Sequence, residues 1–124
     1  MSATLRSTAI TTRDIAATKD FYLKHLGATV VMDMGWHLAL DLGGTPLAFN
    51  EPGYSGAPEA FEGGGVALYI HVPDVDAKHA ELVAASLTPE GAPKDEPWGS
   101  RAFVIRDPNG IALYVHSDIE PTTE

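Results

Sequence analysis

The sequence carries the same short pattern twice. Asp41-Leu-Gly-Gly-Thr-Pro-Leu and Asp107-Pro-Asn-Gly-Ile-Ala-Leu share the spacing Asp-x-x-Gly-x-x-Leu, and they start 66 positions apart. A second pair agrees with the first, because Asp14 and Asp74 each follow a strand-like run and precede a helix-like one. Such self-similarity is typical of repeated structural modules. The sequence therefore predicts two similar modules that face each other across a cleft.

Both modules are predicted to have the element order βαβββ, from alternating apolar residues, helix-capping aspartates and short turn signals. In module one, residues 4–50, the predicted elements are a strand, a helix and three strands: Leu5–Thr12, Ile15–Leu26, Ala28–Asp33, Trp36–Leu42 and Thr45–Asn50. In module two, residues 65–117, they are Val66–Val72, a helix from Asp74 to Ala85, an edge strand near Leu87–Pro89, Arg101–Arg106 and Ile111–His116. The edge strand is weakly marked because Pro89 cannot donate a backbone hydrogen bond.

The predicted fold class is α+β, with the paired modules forming a cupped, mostly antiparallel sheet and the helices on its outer face. A chain of 124 residues suits one such domain, residues 1–118. Residues 51–64 contain several glycines and prolines and are predicted to be a linker or mobile flap. Residues 119–124 are predicted to be a polar, frayed tail. Exposed edge strands and a half-open cleft in so short a chain further predict a homodimer.

Composition narrows the classes of function. The chain has no cysteine, which excludes disulfides and thiolate chemistry. A net charge of −9 with few, scattered basic residues argues against nucleic-acid binding. The acidic surface would attract cationic small molecules, although acidic surfaces commonly serve solubility alone. No apolar run of about 18 residues is present, so we expect no membrane partner and a soluble, cytoplasmic protein.

Alternation along the strands assigns side chains to faces. In the first and last strands of module two, apolar residues occupy one face, while Tyr69, His71, Tyr114 and His116 occupy the other. The internal offsets place Ser7, Ala9, Thr11, Ala48 and Asn50 at the equivalent positions of module one. These residues are predicted to line a ligand cavity. The alternative is that the two histidines are hydrogen-bonded within a packed interface.

Several segments together resemble a known family. They are Asp14 through Phe21-Tyr22 to Leu26-Gly27, the helix opening Val72-Pro73-Asp74-Val75-Asp76-Ala77, and Pro97-Trp98-Gly99-Ser100-Arg101-Ala102-Phe103 leading into Asp107-Pro108-Asn109-Gly110. In these segments the chain resembles the vicinal oxygen chelate superfamily, which includes glyoxalase I, extradiol dioxygenases, fosfomycin-resistance enzymes and bleomycin-resistance proteins. The resemblance covers nearly the whole chain and implies the paired βαβββ fold.

The resemblance also identifies where metal-dependent members hold their ion. The equivalent residues here are Ser7, Ala48, Ala67 and Tyr114. Serine and tyrosine are poor ligands for a divalent cation, and alanine has no donor atom. We therefore expect no metal and no other cofactor, and glyoxalase I or extradiol dioxygenase activity is not expected. A displaced site at His71 and His116 stays open.

The segment Glu96–Phe103 before Asp107 is most similar to the bleomycin-resistance branch, whose proteins bind and sequester a drug. The resemblance implies a metal-independent small-molecule binding protein whose ligand is an organic, cationic or aromatic molecule such as an antibiotic. Trp36 and Trp98, with Tyr54 and Phe61 of the loop, are candidates for stacking. The full predicted ligand-binding set is Ser7, Thr11, Trp36, Ala48, Asn50, Tyr69, His71, Trp98, Phe103, Tyr114 and His116.

An enzymatic function is the main alternative. The same histidines and tyrosines suit a lyase, isomerase or cyclase that works by acid-base chemistry or with a displaced metal, because imidazole titrates near neutral pH. A binding protein returns its ligand intact, whereas an enzyme releases an altered product.

Overall fold

The structure is a computed structural model of the chain and describes residues 1–53 and 63–120. The chain divides into two compact units, Met1–Glu62 and Gly63–Glu124. Each unit has the order βαβββ, which confirms the predicted α+β fold. Within the described residues, no helix is long and apolar enough to cross a membrane.

Unit one is a four-stranded sheet with one helix. Its elements are β1 (Thr8–Thr11), α1 (Ile15–Leu26), β2 (Thr29–Asp33), β3 (His37–Leu42) and β4 (Thr45–Asn50). The strand order is β1-β4-β3-β2, with β1 parallel to β4 and the other pairs antiparallel. The helix begins at Ile15 because the Asp14 carboxylate accepts the Ala17 backbone N–H at 2.9 Å. It ends at Gly27, whose φ of 69° is left-handed.

Unit two repeats this arrangement. Its elements are β5 (Ala67–His71), α2 (Val75–Ala84), β6 (Lys94–Glu96), β7 (Ser100–Arg106) and β8 (Ala112–Asp118). The order is β5-β8-β7-β6, with β5 parallel to β8 and the other pairs antiparallel. Asp74 caps α2 as Asp14 caps α1, because its carboxylate accepts the Ala77 N–H at 3.0 Å. The two capping aspartates identified in the sequence therefore begin the two helices.

The prediction of an edge strand near Leu87–Pro89 is wrong. That strand is β6, which lies at Lys94–Glu96 and pairs with β7. Leu87 instead closes the end of α2, since its N–H donates to the Leu82 carbonyl at 3.0 Å. The C-terminal strand is also longer than predicted, because β8 continues to Asp118 and the Ile119 N–H bonds to the Gly99 carbonyl at 2.9 Å. Of the predicted tail, residues 121–124 lie outside the described residues.

Each sheet packs one face against its own helix. In unit one, Tyr22 of α1 is fully buried, and its ring centroid lies 5.1 Å from that of Phe49 on β4. In unit two, Leu113 and Val115 of β8 are fully buried, as is Ile111 just before the strand. Because side chains alternate along a strand, burial of these residues turns the intervening residues to the opposite face. In each unit, the candidate site residues lie on this opposite face.

The two copies of the Asp-x-x-Gly pattern form turns with different degrees of burial. In unit one, Asp41 accepts one hydrogen bond, from the Gly44 N–H at 3.2 Å, and that bond is exposed. In unit two, Asp107 is 5% exposed and accepts the backbone N–H groups of Asn109 at 2.8 Å and Ile111 at 2.9 Å. Asp107 therefore satisfies two backbone donors that the turn itself leaves unpaired.

Ion pairs join the elements at the surface. Arg101 on β7 donates to Asp76 in the first turn of α2 at 3.0 Å and to Asp95 on β6 at 2.9 Å. The hydrogen bond from Arg101 lowers the pKa of Asp76 below its usual value, more than desolvation raises it. In unit one, the hydrogen bond from Lys19 and then the Gly35 N–H lower the pKa of Asp33. Both carboxylates therefore favour their charged form in the folded state.

These lowered pKa values predict an acid-dependent loss of stability. A carboxyl group whose folded pKa lies below its unfolded value of about 4 stabilises the fold above that pH, and the contribution is lost as the pH falls through the folded pKa. We expect Asp76→Asn to lower the urea midpoint at pH 7 and to lower it less at a pH below about 4. Asp20→Asn, at an exposed position on α1, is the control and should shift neither midpoint. An equal effect of Asp76→Asn at both pH values would contradict the assignment.

Candidate functional site

The opposite face of unit two carries a row of aromatic side chains. Strands β5 and β8 are parallel and in register, so that Tyr69 lies beside Tyr114 and His71 beside His116. The ring centroids are 4.8 Å apart for the tyrosines and 5.4 Å apart for the histidines. Tyr114 and His116 are 5.5 Å apart, which joins the two pairs. We call these four residues the aromatic row.

Trp98 extends this surface. It lies in the turn between β6 and β7, and its Nε1–H donates to the Tyr114 hydroxyl oxygen at 3.2 Å. Trp98 is 63% exposed and Tyr69 is 72% exposed, whereas large aromatic side chains usually bury most of their area. The face thus offers exposed rings and a fixed hydrogen bond that orients the indole. Such a surface suits stacking on a planar molecule.

Two polar features lie at the histidine end of the aromatic row. His71 Nε2 lies 3.4 Å from the Asp118 carboxylate, at an exposed position on β8. His116 Nδ1 is buried and has no hydrogen-bond partner within the described residues. Sequence reasoning missed Asp118 because it ended the last strand at His116. The even spacing from Tyr114 and His116 to Asp118 is the signal that would have found it.

In unit one, the predicted residues also share the face away from the helix. Ala9 lies beside Ala48, and Thr11 beside Asn50, on the parallel strands β1 and β4. A concavity of about 410 Å³ opens on this face. Its lining includes Ser7, Ala9, Val31, His37, Ala39, Asp41, Ala48 and Asn50.

His37 is a residue of this concavity that the sequence reasoning missed. It pairs in register with Asn50 across β3 and β4, and its Nδ1 lies 2.5 Å from the Asn50 Oδ1. Alternation along β3 buries Leu38 and Leu40 and turns His37 and Ala39 to the face of Asn50. The same alternation, applied to every strand of the sequence, would have identified His37.

The remaining predicted residues divide between the face and the core. Trp36 is half-buried, and its ring lies 5.6 Å from that of His37. Phe103 is 4% exposed and lies edge-on to His79 of α2 at 5.0 Å, so the structure places it among the core residues on the helix side of its sheet. Tyr54 and Phe61 lie outside the described residues.

The four positions equivalent to the family's metal ligands do not fit a divalent cation. Ala48 and Ala67 have no donor atom. The Ser7 hydroxyl is within 3.5 Å of the Thr8 carbonyl, and the Tyr114 hydroxyl accepts the bond from Trp98. Over residues 1–53 and 63–120, no group of three or more histidine, aspartate or glutamate side chains is placed to hold a metal ion. We derive no reaction step through a metal at these positions.

The duplicated βαβββ modules and their in-register strands define a fold of the glyoxalase type. The family model described as the Glyoxalase/Bleomycin resistance protein/Dioxygenase superfamily matches residues 4–115. The chain belongs to this superfamily.

Individual relatives agree with this assignment. An uncharacterized protein of Mycobacterium bovis is 31% identical over 109 residues, covering 78% of this chain and 72% of its own length. For a similar relative from Mycobacterium tuberculosis, the match to this chain covers 64% of that protein's length. Among solved structures, TnmS3, an antibiotic binding protein from a Streptomyces species, has a TM-score of 0.75 and 24% identity, covering 94% of this chain and 97% of its own. Lactoylglutathione lyase from Agrobacterium tumefaciens has a TM-score of 0.73 and 21% identity. The match covers 94% of this chain and 95% of the lyase chain. At these identities, the two structures support the fold alone.

Proposed function

We propose that this protein binds and sequesters a small organic molecule, such as an antibiotic, without a metal ion of its own. The observation that carries the proposal is the aromatic row with Trp98. The large rings of Tyr69 and Trp98 are exposed on one side of the sheet of unit two. The other side of this sheet is packed with buried core residues. Sites that bind a ligand by stacking usually combine exposed aromatic rings with a few fixed polar groups.

The chemistry of the surroundings favours a cationic or aromatic ligand. The chain has a net charge of −9, and Asp118 adds a carboxylate at the end of the aromatic row. Electron-rich faces of tryptophan and tyrosine attract cations, which adds to stacking. We infer that Tyr69 and Trp98 contact the body of the ligand while His71 and Tyr114 supply hydrogen bonds.

The metal-free part of the proposal rests on the donor set. Glyoxalase and dioxygenase chemistry uses a cation to polarise or bind oxygen atoms of the substrate. Ser7, Ala48, Ala67 and Tyr114 do not supply the imidazole and carboxylate ligands that such a cation requires. Antibiotic binding by TnmS3 shows that this fold accommodates a binding function.

The proposal includes a homodimer in the cytoplasm. Strand β2 is an edge strand on which Val30, Val31 and Met32 are all exposed. An exposed apolar edge strand can pair with another strand or pack against another surface. A second copy of the chain is a partner that is always present at the same concentration as the first.

The first experiment is a titration of the purified protein with metal-free bleomycin, followed by the fluorescence of Trp36 and Trp98. We expect a saturable change with a stoichiometry of one ligand per site and recovery of intact bleomycin by mass spectrometry. Native mass spectrometry of protein purified without added metal reports bound metal and subunit number in the same sample. Stoichiometric manganese, iron, nickel or zinc would contradict the metal-free proposal.

Two variants test whether the aromatic row acts in binding or in folding. His71→Ala and Tyr114→Phe each remove one polar group, and we expect each to weaken ligand binding by about 2- to 10-fold. Their melting temperatures should change little, because His71 is exposed and Tyr114→Phe removes no carbon atom. A large loss of stability with unchanged affinity would mean that both residues are structural.

An enzymatic function is the second candidate, and one observation favours it. The Asp118 carboxylate lies 3.4 Å from His71 Nε2, which is the kind of contact that orients an imidazole for proton transfer. With Tyr69 and Tyr114 nearby, this suits a lyase, isomerase or cyclase. Recovery of a chemically altered product after incubation would support it, and activity removed by a chelator and restored by a divalent salt would assign that activity to a displaced metal at His71 and His116.

A further inference from the structure

The polar pair His37 and Asn50 lies on two adjacent strands of unit one. Asn50 is 3% exposed, and its strand is paired on both sides, with β1 and with β3. Its carbonyl also accepts the Thr12 N–H at 2.8 Å. These bonds fix the Asn50 backbone, and the side-chain Oδ1 lies 2.5 Å from His37 Nδ1.

The tautomer of His37 depends on which amide atom of Asn50 faces its ring, and in the structure that atom is Oδ1. An amide oxygen only accepts hydrogen bonds, so the Nδ1 of His37 carries the hydrogen. A neutral imidazole has one N–H, which leaves a lone pair on Nε2. Nε2 has no protein partner within the described residues and is not buried, while the His37 side chain lines the 410 Å³ concavity. An acceptor is therefore free at this surface.

We propose that Asn50 fixes His37 as a hydrogen-bond acceptor, and that His37 selects ligands bearing an N–H or O–H group on an aromatic body. Asn50 is a positioning residue, because it acts through His37. The Trp36 ring, 5.6 Å from that of His37, supplies an aromatic surface beside the acceptor. The inference rests on the proposed function for the existence of a ligand, but the tautomer is a property of the free protein.

The tautomer is measured first, on the wild-type full-length chain without ligand. Long-range ¹H–¹⁵N correlation spectra at about pH 8, where imidazole is neutral, distinguish a protonated Nδ1 from a protonated Nε2. We expect His37 to have its hydrogen on Nδ1. Asn50→Asp retains an acceptor and should retain this tautomer, whereas Asn50→Ala should lose the preference. Hydrogen on Nε2 in the wild-type protein, or a mixture of both forms, would overturn the proposal even if both variants fail to fold.

Ligand selection is measured with two matched probes, 2-naphthol and 2-methoxynaphthalene, which differ in the presence of an O–H donor. We expect chemical shift titrations of His37 to give about 2- to 10-fold tighter binding of 2-naphthol. His37→Phe keeps a ring, and its affinities, measured from the backbone amide shifts of Ala39 and Ala48, should not differ between the two probes. Equal affinities, or no shift of His37 with either probe, would overturn the role in selection. Bleomycin binding is measured separately, so failure of the proposed function and failure of this inference can be distinguished.

Discussion

Replacing Asp107 with alanine is expected to destabilise the protein by about 2 to 4 kcal/mol. The buried carboxylate accepts the backbone N–H groups of Asn109 and Ile111, and its removal takes away the Oδ1 acceptor that both donors use. Each buried, unpaired polar group costs about 1 to 3 kcal/mol. Urea unfolding with an unchanged slope would report this loss as a lower midpoint.

The sequence repeat provides the matched control. Asp41→Ala removes the equivalent side chain of unit one, which makes a single exposed bond to the Gly44 N–H. We expect a loss below about 1 kcal/mol for this variant. Asp107→Asn keeps one acceptor oxygen, so its loss of stability should lie between those of Asp107→Ala and Asp41→Ala. Equal losses for Asp107→Ala and Asp41→Ala would show that burial of the Asp107 turn does not determine its contribution.

The two aspartates illustrate what the sequence predicted and what it did not. Their identical spacing predicted two similar modules, and in each module the pattern forms a turn. Their different burial depends on residues distant in the chain. Gly63 has a φ of 79°, and a Cβ there would collide with the Gly110 carbonyl, so the backbone near Gly63 closely covers the Asp107 turn. A local pattern cannot encode such a contact between distant segments.

The same distinction applies to the candidate site. Alternation along strands correctly placed Tyr69 and Tyr114 on one face, because a period of two is imposed by the strand backbone. Phe103 was assigned to the ligand through a motif, and its position on the helix side follows from the register of Phe103 with Val115. Register is set by pairing between strands, which a single strand's sequence does not specify.

Alanine at Trp98 or Tyr69 is expected to weaken the binding of bleomycin by about 10- to 100-fold, which corresponds to about 1.4 to 2.8 kcal/mol. Each substitution removes an exposed ring that stacks on the ligand in the proposed function, and exposed rings contribute little to folding. Affinity is measured by isothermal titration calorimetry, since Trp98→Ala removes a fluorophore. Val83→Ala, which truncates a 49% exposed side chain on α2, is the control and should bind as the wild type does.

Trp98→Phe separates the two contributions of the indole. Phenylalanine keeps a ring for stacking but cannot donate to the Tyr114 hydroxyl, as Trp98 Nε1 does at 3.2 Å. If stacking dominates, Trp98→Phe should retain most of the affinity that Trp98→Ala loses. If the hydrogen bond that orients the indole dominates, Trp98→Phe and Tyr114→Phe should weaken binding equally, because each removes one partner of the same bond. Unchanged affinity in both Trp98→Ala and Tyr69→Ala would exclude the aromatic row as the ligand surface and leave the concavity around His37 as the remaining candidate.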